Sequence, residues 1–288
     1  MSSPRLAVIG GSGLYQLPDL ERLQRHNIQT PFGSPSGPVV TGDLGGVWIA
    51  FLARHGAGHR LLPTEINTRA NIWALKSLGV ERVISISAVG SLAEKLQPLH
   101  VALPDQYIDR TRHRHETFFG DGIAAHVSLA DPTCDELREA AAQAAEDSGA
   151  TVHRGGVYLC MEGPQFSTRA ESNLFRSWGA SLIGMTNMQE VRLCREAEIC
   201  FASLCLVTDY DCWKTDEAHV TVEAIIHRLE LNAESARKTV TTLAPRLGPR
   251  RCQCATVLDT AIVTAREMIP TESVDRLGPI VARVLGGR

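Results

Sequence analysis

The feature that most constrains the fold is a regular alternation of short apolar runs with amphipathic stretches of helical period. The apolar runs include RLAVIGG near the start and ICFASLCLV over Ile199–Val207, and they have the length and composition of buried strands. Between them lie stretches such as DPTCDELREAAAQAAEDSG, in which apolar residues recur every three or four positions. Strands that alternate with helices predict an α/β fold, with a central mixed, mostly parallel twisted sheet flanked by helices.

The chain length of 288 residues suits one large α/β domain or two small ones. No internal repeat, linker or low-complexity segment divides it, so we predict one domain over residues 1–248 and a helical C-terminal extension over 249–288. The stretch Pro63–Gly79 predicts a helix that begins near Pro63. Pro104 interrupts the strand pattern HVALPDQYID, which indicates an edge or irregular strand.

Composition excludes several classes of protein. The formal net charge is -3, and no block of Lys and Arg is long enough to act as a nucleic-acid-binding arm. No apolar run reaches the ~18 residues of a membrane span, and the opening MSSPRLAVIGG is too short and too interrupted by glycine for a signal peptide. We therefore expect neither nucleic acid nor membrane as a partner. Most of the eight cysteines lie inside apolar runs, as is typical of buried thiols in a reducing compartment, so we expect a cytoplasmic protein.

Two histidine or cysteine patterns raise the question of a metal. RCQC places Cys252 and Cys254 two positions apart, which is not the CxxC spacing of zinc and redox sites, so structural thiols are favoured over a redox-active or disulfide-forming pair. RTRHRHE carries His113 and His115, with His126 further on, but no acidic or cysteine ligand lies at a matching spacing. A solvated loop or a subunit contact is the better interpretation there, and we expect no metal.

Small polar residues and one arginine follow several of the predicted strands. GGSG lacks the G-x-G-x-x-G dinucleotide fingerprint, yet its amides and the Ser12 hydroxyl could cradle a single phosphate; a plain tight turn is equally compatible. ARHGAGH places Arg54, a preferred ligand for phosphate, beside His55, although an exposed ion-paired arginine would look the same. Ser87 precedes a glycine turn, and Thr186 follows Met185 in a similar arrangement.

The apolar run that ends in LVTDYDCWK brings two aspartates, Asp209 and Asp211, to the end of a buried strand. Residues i and i+2 of a strand share a face, so the two carboxyls would repel and one of them would tend to hold a proton. The alternative is a helix N-cap or an Asx-turn, which also places Asp at strand ends. Because ligands of α/β sheets bind at the carboxyl ends of strands, the whole set suits an anion together with a polar heterocycle.

The strings GGSGLY, TPFGSPS, LARHGAGH, GSLAEKLQPL, EGPQFSTRAES, FRSWGASLIGMT and VTDYDCWK closely resemble those of 5'-methylthioadenosine phosphorylases, in the purine nucleoside phosphorylase superfamily. The similarity runs from about Leu6 to Leu247. The resemblance implies an α/β enzyme, a homotrimer or a dimer of trimers, that splits 5'-methylthioadenosine with phosphate into adenine and 5-methylthioribose 1-phosphate. It implies that no cofactor is needed, and that inorganic phosphate takes part as a co-substrate.

The resemblance also implies a role for each site residue. These are Ser12, Arg54, His55, Ser87 and Thr186 for phosphate; Met185 for the ribose; Phe166, Asp209 and Asp211 for the purine; and Val222, Ile225, Ile226 and a His126 lent by the neighbouring subunit for the 5'-substituent. Val222, Ile225 and Ile226 also have the i, i+3, i+4 spacing of one helix face, which ordinary core packing would explain equally well.

Chemistry gives the two aspartates a reason to be there. A phosphate held by Arg54 and His55 would attack C1' and stabilise the positive charge that develops on the ribose. Asp209 could supply the proton that adenine needs at N7, or hold the water that does, and could accept a hydrogen bond from the 6-amino group. On the resemblance, Asp209 and Asp211 are therefore the catalytic pair.

Gln189 stands where the family usually has Pro, and Val89 is bulkier than the usual residue, so base choice is open. The alternatives are a phosphorylase for another 5'-substituted adenosine or for 5'-methylthioinosine, a water-using nucleosidase, and a non-catalytic purine-binding protein.

Overall fold

A computed structural model describes residues 5–11, 14, 19–214 and 222–286, and these residues form eleven strands and seven α-helices. The strands are β1 (Leu6–Gly10), β2 (Glu21–His26), β3 (Val39–Leu44), β4 (Val47–Ala53), β5 (Arg82–Ser91), β6 (Val101–Leu103), β7 (Gln106–Arg110), β8 (Val152–Arg154), β9 (Val157–Met161), β10 (Ala180–Gly184) and β11 (Cys200–Asp209). The helices are α1 (Thr68–Ser77), α2 (Asp135–Asp147), α3 (Arg169–Ser177), α4 (Asn187–Glu196), α5 (Val222–Leu243), α6 (Thr271–Leu277) and α7 (Ala282–Leu285).

All eleven strands join one mixed sheet, which confirms the predicted α/β fold. The sheet branches at β5, its longest strand together with β11. One path runs in the order β2-β3-β4-β1-β5-β10-β9-β7, and β11 leads from β5 to β6 and β8. Every residue of β11 is buried, as expected for a strand covered on both faces, and this burial explains its unbroken apolar sequence.

The centre of the sheet is parallel. β4, β1, β5 and β11 all run in the same direction, so their carboxyl ends meet at one edge. β10 joins β5 in the opposite direction, pairing Ile183 with Gly90, and its last residue therefore approaches the same edge. The polar residues that the sequence places after these strands are thus brought together by topology.

Two apolar layers cover the sheet. One is formed with α2 and α5 and includes Leu137 and Leu243. The other contains side chains of α1 and α4 together with Leu277 and Leu285 of the C-terminal segment. The segment after residue 248 therefore packs into the same core as the preceding chain, and Trp73 donates to the carbonyl of Leu277 at 3.1 Å. The division at residues 248 and 249 stays a prediction.

Two local predictions are wrong in detail. The Pro63–Glu65 segment forms a 3-10 turn, and α1 begins only at Thr68, because the Asn67 side chain caps it by accepting from the Ala70 amide. Pro104 does not lie within one irregular strand but separates β6 from β7, since proline cannot donate to a ladder. Within the described part of the chain, no helix has both the length and the apolar character to cross a membrane.

Candidate active site

The loops after β1 and β4 lie against each other at the carboxyl edge of the sheet. A Cβ placed on Gly11 would come within 2.6 Å of Nη1 of Arg54 and 2.7 Å of the Ile86 carbonyl oxygen, so only glycine fits there. The glycine turn therefore rests directly on the Arg54 guanidinium. Ser12, predicted to contact phosphate, lies outside the described residues.

Arg54 is only 1% exposed, and most of its donors are already used. Nε donates to Oε1 of Glu190 at 2.5 Å, and Nη2 donates to Oε2 of Glu190 at 3.2 Å and to Oγ of Ser85 at 2.6 Å. Nη1 donates to the Ile86 carbonyl at 2.9 Å. Of the five N–H groups of an arginine, four are used by these described partners, and the fifth lies on Nη1, which is next to Gly11. Because the guanidinium holds Glu190 on its other side, we expect Arg54 to reach phosphate through Nη1, and that contact stays a prediction.

His55 is held in one orientation beside Arg54. Its Nδ1 lies 2.8 Å from the carbonyl oxygen of Leu61, which can only accept, so Nδ1 carries the proton. Its ring stacks on His59 with centroids 4.1 Å apart. Burial, and then the charge of Arg54, lower the pKa of His55 to about 4. The ring is therefore neutral near pH 7, and Nε2 presents a lone pair that can accept the O–H of hydrogen phosphate.

Ser87 and Thr186 face the same region from β5 and from the start of α4. Oγ of Ser87 donates to Oδ1 of Asn187 at 2.9 Å, and the side-chain Nδ2 of Asn187 donates to Oγ of Ser203 at 2.7 Å. Thr186 occupies the N-cap of α4, but its side chain makes no capping hydrogen bond. The start of a ten-residue helix offers backbone amides and a positive dipole end, which suit an anion.

Asp209 and Asp211 come together as predicted, but not as neighbours on one strand. Asp209 ends β11, and Asp211 lies beyond it with a φ of 53°, in the left-handed region. The Asp211 amide donates to Oδ1 of Asp209 at 2.7 Å, which is the Asx-turn that the sequence left as an alternative. A Cβ on Gly90 would lie 3.2 Å from Oδ1 of Asp209, so glycine at that point keeps the space beside the pair open.

The two carboxyls differ in their surroundings. Asp209 is 8% exposed, and Thr208 donates to its Oδ2 at 2.6 Å. Oδ2 of Asp211 is buried and has no hydrogen-bond partner among the described residues. Burial, with a further contribution from the charge of Asp209, raises the pKa of Asp211. The expectation that one carboxyl of the pair retains a proton more readily therefore applies to Asp211.

Met185 follows β10 directly, and Phe166 lies in the loop between β9 and α3. A Cβ on Gly163 would come within 2.6 Å of Sδ of Met185, so the loop that carries Phe166 packs directly on this methionine. Phe166 is 49% exposed, so its ring is accessible from solvent in this chain. Val222, Ile225 and Ile226 lie at the start of α5, but their side chains are outside the described set. His126 is exposed, and its amide donates to the Ala261 carbonyl at 2.8 Å.

The hydrogen bonds of Gln189 hold a neighbouring loop. It is 2% exposed; its Oε1 accepts from Arg114 at 3.1 Å and its Nε2 donates to Thr111 at 2.8 Å. Arg114 also donates to the backbone carbonyls of Met185 and Glu162. The residue that departs from the family pattern thus braces the loop over residues 111–114 against the backbone at Met185 and Glu162.

Sequence reasoning missed Asn187, Glu190 and Arg114. The signal for the first two was available, since Asn187 and Glu190 are polar residues three positions apart on a helix whose other members are mostly buried. Arg114 could not be recognised, because its partners Glu162 and Gln189 are remote in sequence.

Comparison with known proteins agrees with this geometry. A sequence model described as "Phosphorylase superfamily" matches residues 5–245. An S-methyl-5'-thioadenosine phosphorylase of Koribacter versatilis is 51% identical over 98% of this chain and 97% of its own length, and that of Geobacter sulfurreducens is 52% identical over 96% and 97%.

Solved structures are similar over most of their length. A methylthioadenosine phosphorylase from an antarctic soil metagenomic library has a TM-score of 0.92 at 46% identity and covers 96% of this chain and 99% of its own. The Schistosoma mansoni enzyme in complex with adenine has a TM-score of 0.83 at 33% identity, covering 88% of this chain and 94% of its own. The fold and the polar site at the carboxyl edge of the sheet define a protein of the phosphorylase type. The chain belongs to the phosphorylase superfamily and, within it, to the S-methyl-5'-thioadenosine phosphorylase family.

Proposed function

We propose that this protein cleaves 5'-methylthioadenosine with phosphate, as a pentosyltransferase, and releases adenine and 5-methylthioribose 1-phosphate for purine and methionine salvage. A phosphate oxygen forms a bond to C1' while the C1'–N9 bond breaks. The electron pair of the broken bond passes into the purine, which takes a proton at N7. The observation that carries the proposal is the meeting of Arg54, His55, Ser87 and Thr186 with the Asp209–Asp211 pair at one sheet edge.

The phosphate half of the site supplies position and charge. Hydrogen phosphate would lie between the glycine turn, Nη1 of Arg54, the hydroxyls of Ser87 and Thr186, and the start of α4. His55, neutral through its lowered pKa, accepts the phosphate O–H at Nε2. The anion then stabilises the cationic ribose that forms as adenine departs.

The base half of the site selects adenine and activates it. Asp209 accepts from the 6-amino group and delivers a proton toward N7, directly or through a water, while Asp211, with its raised pKa, serves as the nearby proton reservoir. Phe166 covers one face of the purine and Met185 lies under the ribose.

The complete site needs more than one chain in this proposal. Val222, Ile225 and Ile226 form the pocket for the methylthio group, and His126 reaches the site of the neighbouring subunit in a homotrimer. The exposed position of His126 supports this role, because a side chain in its own core could not be lent. No cofactor is required besides inorganic phosphate, and we place the reaction in the cytoplasm.

Chromatography of free base from 5'-methylthioadenosine and 5'-methylthioinosine, each with and without phosphate, tests the proposal. We expect adenine to be released only with phosphate and the inosine analogue to react poorly. Release without phosphate would indicate a nucleosidase, and preference for the inosine analogue would indicate that Asp209 does not select the base. Cleavage of neither would redirect the search to other 5'-substituents or to a purine-binding role.

A further inference from the structure

Four cysteines from three distant parts of the chain meet at one point in the fold. The Sγ atoms of Cys134, Cys200, Cys252 and Cys254 all lie within 4.8 Å of one another. The sulfurs of Cys200 and Cys252 are 3.3 Å apart. Three of the four side chains are buried and that of Cys252 is half-buried. Sequence spacing alone had favoured simple structural thiols, because it showed only the Cys252–Cys254 pair.

Each cysteine is fixed by a different element. Cys134 is the N-cap of α2, and Cys200 is the first residue of β11. Cys252 has an extended backbone, with ψ of 164°, and Cys254 lies in the 3-10 turn that follows. This change of backbone direction between the two allows side chains only two positions apart to point at one centre.

The distances match a tetrahedral tetrathiolate centre. Zinc binds thiolate sulfur at about 2.3 Å, which places the four sulfurs about 3.8 Å from one another. The Cys200 and Cys252 sulfurs are 3.3 Å apart and all four sulfurs lie within 4.8 Å of one another, a range that includes this value, so small side-chain movements bring all four into coordination. A largely buried set of four soft thiolate ligands is typical of structural zinc.

The surroundings suit the negative charge of such a centre. Nη1 of Arg195 lies 3.9 Å from Sγ of Cys254, and the N-terminus of α2 directs its dipole toward Cys134. Neighbouring bonds already hold this part of the tail in place. The Arg251 amide donates to Glu136 at 3.0 Å, and Arg250 donates to the Glu198 carbonyl at 2.9 Å.

We propose that Cys134, Cys200, Cys252 and Cys254 bind one structural Zn²⁺ ion, which fastens the C-terminal segment to the start of α2 and β11. Each thiol that is still protonated releases its proton to solvent as its Zn–S bond forms. The site lies at the amino end of β11, about 30 Å along the strand from Asp209 at its carboxyl end. The ion therefore serves stability rather than the reaction at the opposite edge.

The native full-length chain, produced in zinc-containing medium and purified with reductant and without chelator, tests this assignment. Elemental analysis is expected to give about one zinc per chain. Replacement by Co²⁺ is expected to give the intense visible bands of a tetrahedral thiolate complex. The double variant Cys252→Ser, Cys254→Ser should lose the zinc, whereas Cys160→Ala, which removes a buried thiol of β9, should retain it.

The opposite results are equally clear. A reduced native chain that contains no zinc and shows no cobalt spectrum, with all four thiols open to alkylation after denaturation, would overturn the proposal. So would one iron per chain in place of zinc, or mass-spectrometric detection of disulfides among these cysteines in a chain that does not bind zinc after reduction. The cobalt measurement on the native chain decides the matter even if the double variant fails to fold.

Discussion

At the scale of single residues, the proposed preference for adenine depends on Asp209. Oδ1 of Asp209 accepts from the Asp211 amide and Oδ2 accepts from the Thr208 hydroxyl, so the carboxyl group is held in one orientation. A carboxylate so held can accept from the 6-amino group of adenine, which a 6-oxopurine lacks. An asparagine at the same position could instead donate to a 6-oxo group.

Asp209→Asn is therefore expected to lower kcat/KM for 5'-methylthioadenosine by more than about 10²-fold. The loss for 5'-methylthioinosine should be smaller, so that the ratio of the two values shifts toward the inosine analogue. Steady-state kinetics with both nucleosides measures this ratio. Asp147→Asn on α2 is the control, and it should change neither value by more than about twofold. An equal loss for both nucleosides would mean that Asp209 does not read the base.

The lowered pKa of His55 has a consequence for stability. Its pKa is about 4 in the folded chain, against an ordinary value of 6.5, so the unfolded chain binds the proton more tightly. The stability that the neutral His55 ring contributes is fully present above pH 6.5 and is lost as the pH falls toward 4. Acidification from about pH 7.5 to about pH 5 should therefore lower the free energy of unfolding by about 2 kcal/mol through His55.

Urea denaturation of the native chain and of His55→Gln at these two pH values measures the effect. The variant should lose about 2 kcal/mol less than the native chain on acidification. His113→Gln, an exposed histidine, serves as the control and should behave like the native chain. Identical pH dependence of the native chain and His55→Gln would show that His55 is not held neutral by the fold.

Residues of the site were predictable where they end strands. The carboxyl ends of parallel strands coincide, so Arg54, His55 and Asp209 could be placed together from sequence. Their detailed partners could not. The use of the Arg54 fork by Glu190 depends on a contact between residues 136 positions apart, and the turn geometry of Asp211 depends on the Asx-turn rather than on strand alternation.

At the scale of elements, α4 organises the site. Its N-cap is Thr186, its first turn carries Asn187 and Gln189, and Glu190 reaches Arg54. The helix therefore connects Arg54 to the loop over residues 111–114 through hydrogen bonds of buried side chains. Buried networks of this kind are costly to break, because the groups left behind are unpaired.

Gln189→Ala is expected to loosen the loop over residues 111–114 without changing the choice of base. The reason is that Gln189 bonds to Thr111 and Arg114. Hydrogen–deuterium exchange should rise in that loop, and the kcat/KM ratio of 5'-methylthioadenosine to 5'-methylthioinosine should stay within about twofold. Gln143→Ala, on the exposed face of α2, is the matched control and should alter neither. A marked shift in the nucleoside ratio would place Gln189 in base selection.

Elements were predictable wherever local pattern and burial agree. The buried β11 and the amphipathic α2 follow directly from apolar period. The start of α1 was not predictable in this way, because Pro63 indicated an earlier boundary than the one that the Asn67 cap sets at Thr68. The branching of the sheet at β5 could not be read either, because strand order depends on pairings between distant segments.

At the scale of the whole molecule, the C-terminal segment supports the loop that carries His126. Ala125 bridges to Ile262, the His126 amide donates to Ala261, and the Val263 amide donates to Ala124. If His126 completes a neighbouring site, the tail holds in place a residue that works in another subunit. In a cyclic oligomer, such head-to-tail contacts repeat around the ring.

Subunit mixing tests this arrangement. His126→Ala alone should raise the KM for 5'-methylthioadenosine about tenfold, and Asp209→Asn should abolish most turnover. Co-expressed chains that carry one change each should exceed the mean of the two separate activities, because some sites then combine an intact Asp209 with an intact His126. Sedimentation should give three times the chain mass of 31.3 kDa, or six times for a dimer of trimers. Activity equal to the mean would contradict a shared site.

The four-cysteine cluster lies beyond the reach of sequence spacing for a related reason. Cys252 and Cys254 are visible as a pair, whereas Cys134 and Cys200 join them only because α2 and β11 begin at the same place in the fold. Local pattern predicts local structure, and only tertiary contacts decide which distant side chains share a site.

The measurement that most directly tests the central claim is phosphorus NMR of the native protein with 5'-methylthioadenosine and inorganic phosphate. We expect the inorganic phosphate signal to fall as a sugar 1-phosphate signal rises, in equal amount with the adenine released. Adenine released with the phosphate signal unchanged would contradict it, because the ribose would then have been captured by water.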